Sequence, residues 1–128
     1  MSGNVLYRID NGEREIDREA NVEVEDYVFI NSDGKAEKAN SSSINTMSCV
    51  GRVVRVYDGK CVIKRDFVED TYSAVVPRSN FFISNVNPGQ IMDTPPQGPQ
   101  TVIQDIGFGI NGDRILVNID PSNIVIRS

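Results

Sequence analysis

The sequence predicts an all-β protein with very little helix: an antiparallel β-barrel or β-sandwich built from two similar β-meander units. Three observations lead there. First, residues 49–64 (CVGRVVRVYDGKCVIK) carry two apolar, β-branched runs on either side of Asp58-Gly59, a two-residue turn signal that needs positive φ. Second, a variant of this hairpin returns about Gly107, 56 residues after Gly51. Third, helical character is confined to residues 13–20 (EREIDREA), where only Ile16 and Ala20 are apolar; that stretch fits a short helix or a second hairpin strand.

Within the hairpin, a loop at Asp58-Gly59 sets Val56 opposite Cys61 and Val54 opposite Ile63 on a dry face. Arg55 opposite Val62 and Val53 opposite Lys64 then share a mixed face, as in a sheet with one side on a core. In this register Cys49 and Cys61 lie at opposite ends of the hairpin, too far apart for a disulfide. Both are expected as free thiols, with Cys61 as core filler, which suits a reducing compartment.

Residues 5–9 (VLYRI) alternate as a strand and lead into a turn at Asp10-Asn11-Gly12. Val22 and Val24 alternate with Glu23 and Glu25 and predict a short strand. Residues 27–30 (YVFI) predict a strand closed by a turn at Gly34, and 36–39 a short return strand. Residues 40–45 (NSSSIN) form a polar loop. After the hairpin, 67–72 alternate loosely, and 74–76 predict a short strand that Pro77 ends or confines to an edge. Residues 81–83 (FFI) predict a strand, Asn87-Pro88-Gly89 a turn, 91–94 a short strand and 95–99 (PPQGP) an extended link. Strands at 102–106, 114–119 and 123–126 complete the chain, with Asn111-Gly112 as a turn.

The repeat aligns residues 27–63 with 80–117. YVFI matches NFFI, turn glycine Gly34 matches Gly89, and the CVG ending at Gly51 matches the DIG ending at Gly107. Gly34 to Gly51 spans 17 residues and Gly89 to Gly107 spans 18. The organisation is thus one β domain: an acidic segment over 1–25, repeat 1 over about 26–68 and repeat 2 over about 74–128. Gly34, Gly51, Gly59, Gly89 and Gly107 are the structural glycines, Gly51 and Gly107 placed where a bulge or sharp bend would close a small barrel.

At 128 residues the chain can bury roughly two-thirds of its unfolded surface without staples. Mean hydropathy is −0.28, and no apolar run approaches the ~20 residues of a membrane helix. Residues 1–4 begin no charged-then-apolar leader pattern, so no secretory signal is expected. A net charge of −5 and a pI near 4.6 oppose duplex nucleic-acid binding, which requires a basic face. Eight acidic residues crowd 10–26, a pattern that fits a solvated face or, more pointedly, a basic partner or cation site.

Histidine is absent, which removes the commonest general base and metal ligand. Nothing near Ser41-Ser42-Ser43 would activate a nucleophile. Glu69 and Asp70 are adjacent and point to opposite faces of a strand, so they form no glycosidase pair. Asn111, Asp113 and Asp120 lack the spacing of a calcium loop, and Gly107-Phe108-Gly109 lacks the helix of a phosphate loop. No catalytic residue, cofactor or metal site is therefore expected. The exposed rings expected are Tyr57, at the hairpin tip, and Tyr72; they are the candidates for a binding surface.

The stretches FINSDGKAEKA…VGRVVRV…GKCVIK and FFISNVNPGQIMDTPP…VIQDIGFGI…ILVNI resemble the β-repeat of bacteriophage virion surface proteins, the small capsid-decoration proteins and head- or tail-fibre modules. Together they cover about two-thirds of the chain, most closely in its last half. The resemblance implies a non-enzymatic structural protein, made in the host cytoplasm and carried on the virion surface. Its implied partners are itself, as a homo-oligomer and commonly a trimer, and the major capsid or another virion protein, with no nucleic acid or membrane. The alternative is a receptor- or carbohydrate-binding module of a fibre tip. Residues 115–126, rich in Ile, Leu and Val, are a candidate for burial between subunits, the alternative being that they are the last core strands of a monomer.

Overall fold

The computed structural model describes Tyr7–Ile9 and residues 12–128. Residues 5, 6, 10 and 11 of the expected first strand and turn lie outside the described residues. The chain forms two antiparallel sheets, as expected for a sandwich. The first contains β1 (Tyr7–Ile9), β2 (Glu13–Asp17), β3 (Tyr27–Ile30), β4 (Ala36–Lys38), β5 (Gly51–Tyr57) and β6 (Lys60–Lys64), in the order β1-β2-β6-β5-β3-β4. The second contains β7 (Asp66–Glu69), β8 (Asn80–Ile83), β9 (Ile91–Met92), β10 (Val102–Asn111) and β11 (Arg114–Asn118), in the order β7-β11-β10-β8-β9. A last strand, β12 (Ile124–Ile126), pairs with the start of β10.

The repeat is a repeat of topology. From β2 the first unit runs β2-β6-β5-β3-β4 across its sheet, and the second runs β7-β11-β10-β8-β9, the same order. Val28 pairs with Gly51 in one and Phe81 with Gly107 in the other, as the sequence alignment implies. The boundary differs from expectation. It falls at Arg65, between β6 and β7, so each unit opens with a strand, β2 or β7, that the alignment had left outside it. Residues 13–17 are therefore a strand and not a helix; Ile16 alone of them is buried, opposite Cys61.

Two of the expected short strands do not form. Over 22–24 the chain turns: Glu25 takes φ 78°, its N–H reaches the Val53 carbonyl at 2.8 Å, and Asp26 N–H returns to the Glu23 carbonyl. Over 74–76, Ala74 takes φ 57° and Val75 N–H bonds the Gly112 carbonyl at 2.9 Å. In both places one valine, Val22 or Val75, drops into a core while the backbone leaves the ladder. The last hairpin turns at Gly112-Asp113 instead of Asn111-Gly112, because Asn111 pairs with Arg114.

The central hairpin holds the expected pairs Val56–Cys61 and Arg55–Val62, but Ile63 faces Val53 and not Val54. Val54 is the extra residue of a bulge, which returns Val53 to full burial. Gly59 has φ 70° at the turn, and Gly34 and Gly89 also sit in left-handed turns. Gly51 and Gly107 are not turn residues. They lie inside β5 and β10, Gly107 beside a bulge in the β10–β8 ladder and Gly51 against Ile63.

The first sheet curls about a small core of Ile16, Val22, Val28, Ala36, Val53, Cys61 and Ile63. Among the described residues one bridge, Arg18 to Ala36, brings the end of β2 to β4, so the curl stops short of a closed barrel. The Arg18 guanidinium covers the open end, donating to the carbonyls of Lys60 at 3.0 Å and Tyr57 at 3.1 Å. The second core lies between the units. Phe81, Ile83, Ile106, Ile115, Val117 and Ile119 from the second unit pack on Tyr27, Phe29, Ala39 and Cys49 from the first. Residues 115–126 are thus divided: the odd-numbered apolar residues 115–119 serve the chain's own core, and Leu116, Val125 and Ile126 stay exposed.

Both cysteines are free and buried. Burial pushes the Cys49 thiol up to about 12 and the Cys61 thiol up to about 11, so both stay protonated and unreactive. Alkylation of the unfolded, unreduced chain is expected to modify two thiols, and Cys61→Ser to cost about 1–3 kcal/mol for the buried hydroxyl. A cystine mass would contradict the hairpin register.

The two strand glycines give an unequal pair of variants. A Cβ on Gly107 would stand 2.2 Å from the Leu116 carbonyl oxygen, a backbone atom, whereas on Gly51 it would meet the Ile63 side chain at 3.0 Å. Gly51→Ala is expected to cost about 1–3 kcal/mol as overpacking. Gly107→Ala must part β10 from β11 and is expected to lower the melting temperature much further. Equal melting temperatures would refute the difference.

Candidate functional site

The cleft with the most chemistry opens where the two units meet. It has a volume of about 280 Å³, and its walls include Glu25, Asp26, Tyr27, Arg52, Glu69 and Tyr72. β5 supplies Arg52, β3 supplies Tyr27, and the end of β7 supplies Glu69. Arg52 Nη2 stands 3.3 Å from Glu69 Oε1 and 3.3 Å from Glu25 Oε2. Its guanidinium carbon lies 5.2 Å from the Phe67 ring centre and 6.0 Å from that of Tyr27. Glu69 is buried and accepts, besides Arg52, the Thr71 N–H at 3.1 Å and the Thr71 hydroxyl at 2.8 Å.

Glu69 faces Ile115 in the ladder, and Ile16 faces Cys61 at the matching place of the first unit. The second unit therefore puts a carboxylate where the first puts a core isoleucine. Arg52 reaches that carboxylate from the other unit, and the pair clasps β5 to β7. Asp26 lies at the cleft's edge. Burial raises its pKa, while the Glu23 N–H at 2.8 Å and the Lys38 ammonium at 3.8 Å favour the charged form. Burial also pushes the Tyr27 hydroxyl far above its usual range. That hydroxyl and Arg52 Nε are buried without a hydrogen-bond partner, and the aromatic faces beside the guanidinium offset part of the cost for Nε.

These groups neutralise one another. No base stands beside a nucleophile here, and the carboxylates of Glu69 and Asp26 already accept from the backbone and from cations. Asp70 is exposed while Glu69 is buried, the opposite orientations expected of them. Among the described residues no three Cys, Asp or Glu side chains come together to hold a metal ion. Asp120 accepts from the Ser122 N–H and hydroxyl. Ser41, buried, donates to the Ile83 carbonyl at 2.9 Å and so ties the polar loop to the second unit.

The two candidate rings are not brought together. Tyr57 is exposed at the tip of β5 and donates to the Glu15 carboxylate. Tyr72 is half-buried in the cleft wall and meets Phe81 edge-on, with ring centres 5.0 Å apart. Four acids of the acidic segment are paired within the chain. Glu13 pairs with Arg55 at 2.6 Å, Asp17 with Lys60 at 2.6 Å, and Glu25 and Asp26 with Arg52 and Lys38. The Arg55 guanidinium holds the Glu13 carboxyl below its ordinary value. Sequence reasoning missed the Arg52–Glu69 clasp, because the repeat alignment left β2 and β7 outside it and the match of Glu69 to Ile16 appears only in the ladders.

No family model matches this chain, and neither the curated proteins nor the solved structures include a match to it.

Glu69→Ala leaves Arg52 under-paired between two rings and is expected to destabilise by about 3 kcal/mol. Replacing both partners with apolar residues, Arg52→Met with Glu69→Ile, is expected to cost less than that single change. Urea unfolding of the three chains decides it: a double variant less stable than Glu69→Ala would show that the clasp is not the source of the loss.

Proposed function

We propose that this chain is a non-enzymatic bacteriophage virion structural protein, a capsid-decoration or fibre module that acts through protein–protein assembly as a homo-oligomer, a trimer in the simplest case. The likeness of its two β-stretches to virion surface modules supports the class. The observation that carries the assembly reading is β12. Among the described residues this strand pairs only with Val102–Gln104 of β10, so none of them covers its other edge, and it presents Val125 (64% exposed) and Ile126 (47% exposed). An open edge beside exposed branched apolar residues is a surface that another chain covers. The major capsid protein or another virion component is the further partner of such a module, and the virion surface its place.

Light scattering on a gel-filtration eluate is expected to give three times the 14.2 kDa chain mass at all concentrations. Val125→Asp is expected to return the peak to one chain. A wild-type peak at one chain mass would overturn the homo-oligomer, and virions that assemble equally well and look unchanged by electron microscopy without the protein would overturn the structural role.

A further inference from the structure

The repeat lets one outer face be compared with the other. In the first unit Val62 of β6 pairs with Glu15 on β2 and Arg55 on β5. In the second, Leu116 of β11 pairs with Val68 on β7 and Phe108 on β10. The two triads hold the same place: the middle residue lies between two inward-facing ones, Cys61 and Ile63 or Ile115 and Val117, so each triad crosses the outer face of its sheet. Their chemistry differs. The flanking residues of the first triad are charged, Glu15 taking the Tyr57 hydroxyl and Arg55 pairing with Glu13, and Val62 is only 1% exposed. All three residues of the second are apolar, and Val68, Leu116 and Phe108 are 48%, 41% and 46% exposed.

The border of the apolar row is acidic. Asp66 stands two residues before Val68 on the same face of β7, Asp70 follows the strand's end two residues after it and is exposed, and Asp105 pairs with Phe82 in the neighbouring row. None of these three carboxylates lies in an ion pair, whereas four acids of the first unit do. Arg114, two residues before Leu116 on β11, adds a cation to this face. The imbalance extends through the unit. Residues 66–128 hold seven acidic and three basic side chains, and residues 1–65 hold eleven and ten, so the chain's negative charge resides mostly in the second unit.

We propose that the outer face of the second sheet, centred on Val68, Phe108 and Leu116, docks a partner protein that presents apolar side chains bordered by lysine or arginine. An apolar centre with a charged rim is the anatomy of a protein interface, and the sign of the rim selects the partner. A second copy of this face does not fit, because it would set one acidic rim against another. This inference rests on the assembly reading and deepens it, giving a partner chemistry and a face separate from β12.

The test uses the full chain, isotope-labelled, and a synthetic peptide of alternating leucine and lysine as the probe. Its control is the same peptide with glutamate in place of lysine. The lysine peptide is expected to bind saturably, with amide shifts centred on Val68, Phe108 and Leu116, and to weaken as salt rises. The glutamate peptide is expected not to bind. Leu116→Ser and Phe108→Ser, at exposed positions, are expected to keep the melting temperature and weaken binding by about tenfold. Asp66→Asn with Asp70→Asn is expected to reduce both affinity and salt dependence. Shifts centred elsewhere, equal binding of both peptides, or no binding would overturn the proposal. So would a wild-type oligomer that Leu116→Ser dissociates, which would put a second copy on this face. Val125→Asp separates the two readings: it should abolish the oligomer and leave peptide binding intact, and binding lost together with the oligomer would show that β12, not this face, holds the peptide.

Discussion

The structure depends on one buried amide. Gln104 is fully buried on β10, accepts the Cys49 N–H at 2.8 Å and donates to the Cys49 carbonyl at 3.0 Å. Its side chain thus pairs with the backbone of the other unit as a neighbouring strand would. It also reaches the Asp120 carbonyl at 3.2 Å, which fixes the turn before β12. Without it, the Cys49 peptide groups, wholly inside the second core, would be left unpaired at about 1–3 kcal/mol each. The clasp of Arg52 and Glu69 and the Ser41 hydroxyl on the Ile83 carbonyl are further polar ties across the same junction. Buried polar groups of this kind are costly unless fully met, so they fix one docking geometry where apolar contacts alone would tolerate several.

That geometry explains why two units of one topology have different interiors. The first unit fills its own curl with Ile16, Val28, Val53, Cys61 and Ile63 and closes it with Arg18. The corresponding concave side of the second unit holds Phe81, Ile115 and Val117, but it is completed by Tyr27, Phe29, Ala39 and Cys49 from the back of the first. The first sheet is therefore buried on both faces at β3, and the second sheet on one. Strand residues of the first unit read accordingly: Tyr27, Val28 and Phe29 are all buried in succession, a continuous apolar run and not an alternation.

Much of this was legible because it is local. The Asp58-Gly59 turn, the left-handed glycines at 34 and 89, the free thiols and the strand at Tyr27–Ile30 follow from residue type and short-range pattern. The duplication was legible too, since paired glycines and hydrophobic blocks keep their spacing. The bulge at Val54 was not, because one extra residue among the three valines and two arginines of β5 changes no composition and only the burial of Val53 selects it. Val22 and Val75 defeated the alternation rule for the same reason: each is a single apolar plug under a turn, and period-two patterning cannot tell a plug from a strand. The clasp joins residues 17 apart in sequence but in different units, so its geometry appears only with the tertiary fold. Tyr57 and Tyr72 were chosen for ring chemistry alone, and the fold commits one to Glu15 and the other to Phe81.

The replacement of Ile16 by Glu69 at matching ladder positions connects these facts. A unit with an apolar residue there can curl and seal itself, as the first does. A carboxylate there cannot be sealed in a dry curl without a cation, and the nearest one, Arg52, belongs to the other unit. The second unit is thereby bound to a neighbour and cannot close on its own side chains. The neighbour it takes is the first unit, whose β3 is then covered on both sides. What the first unit leaves outside is a charged row around Glu15 and Arg55, whereas the second leaves the exposed apolar row Val68, Leu116 and Phe108 beside unpaired carboxylates. The asymmetry that holds the chain together also decides which of its two similar surfaces remains open to a partner.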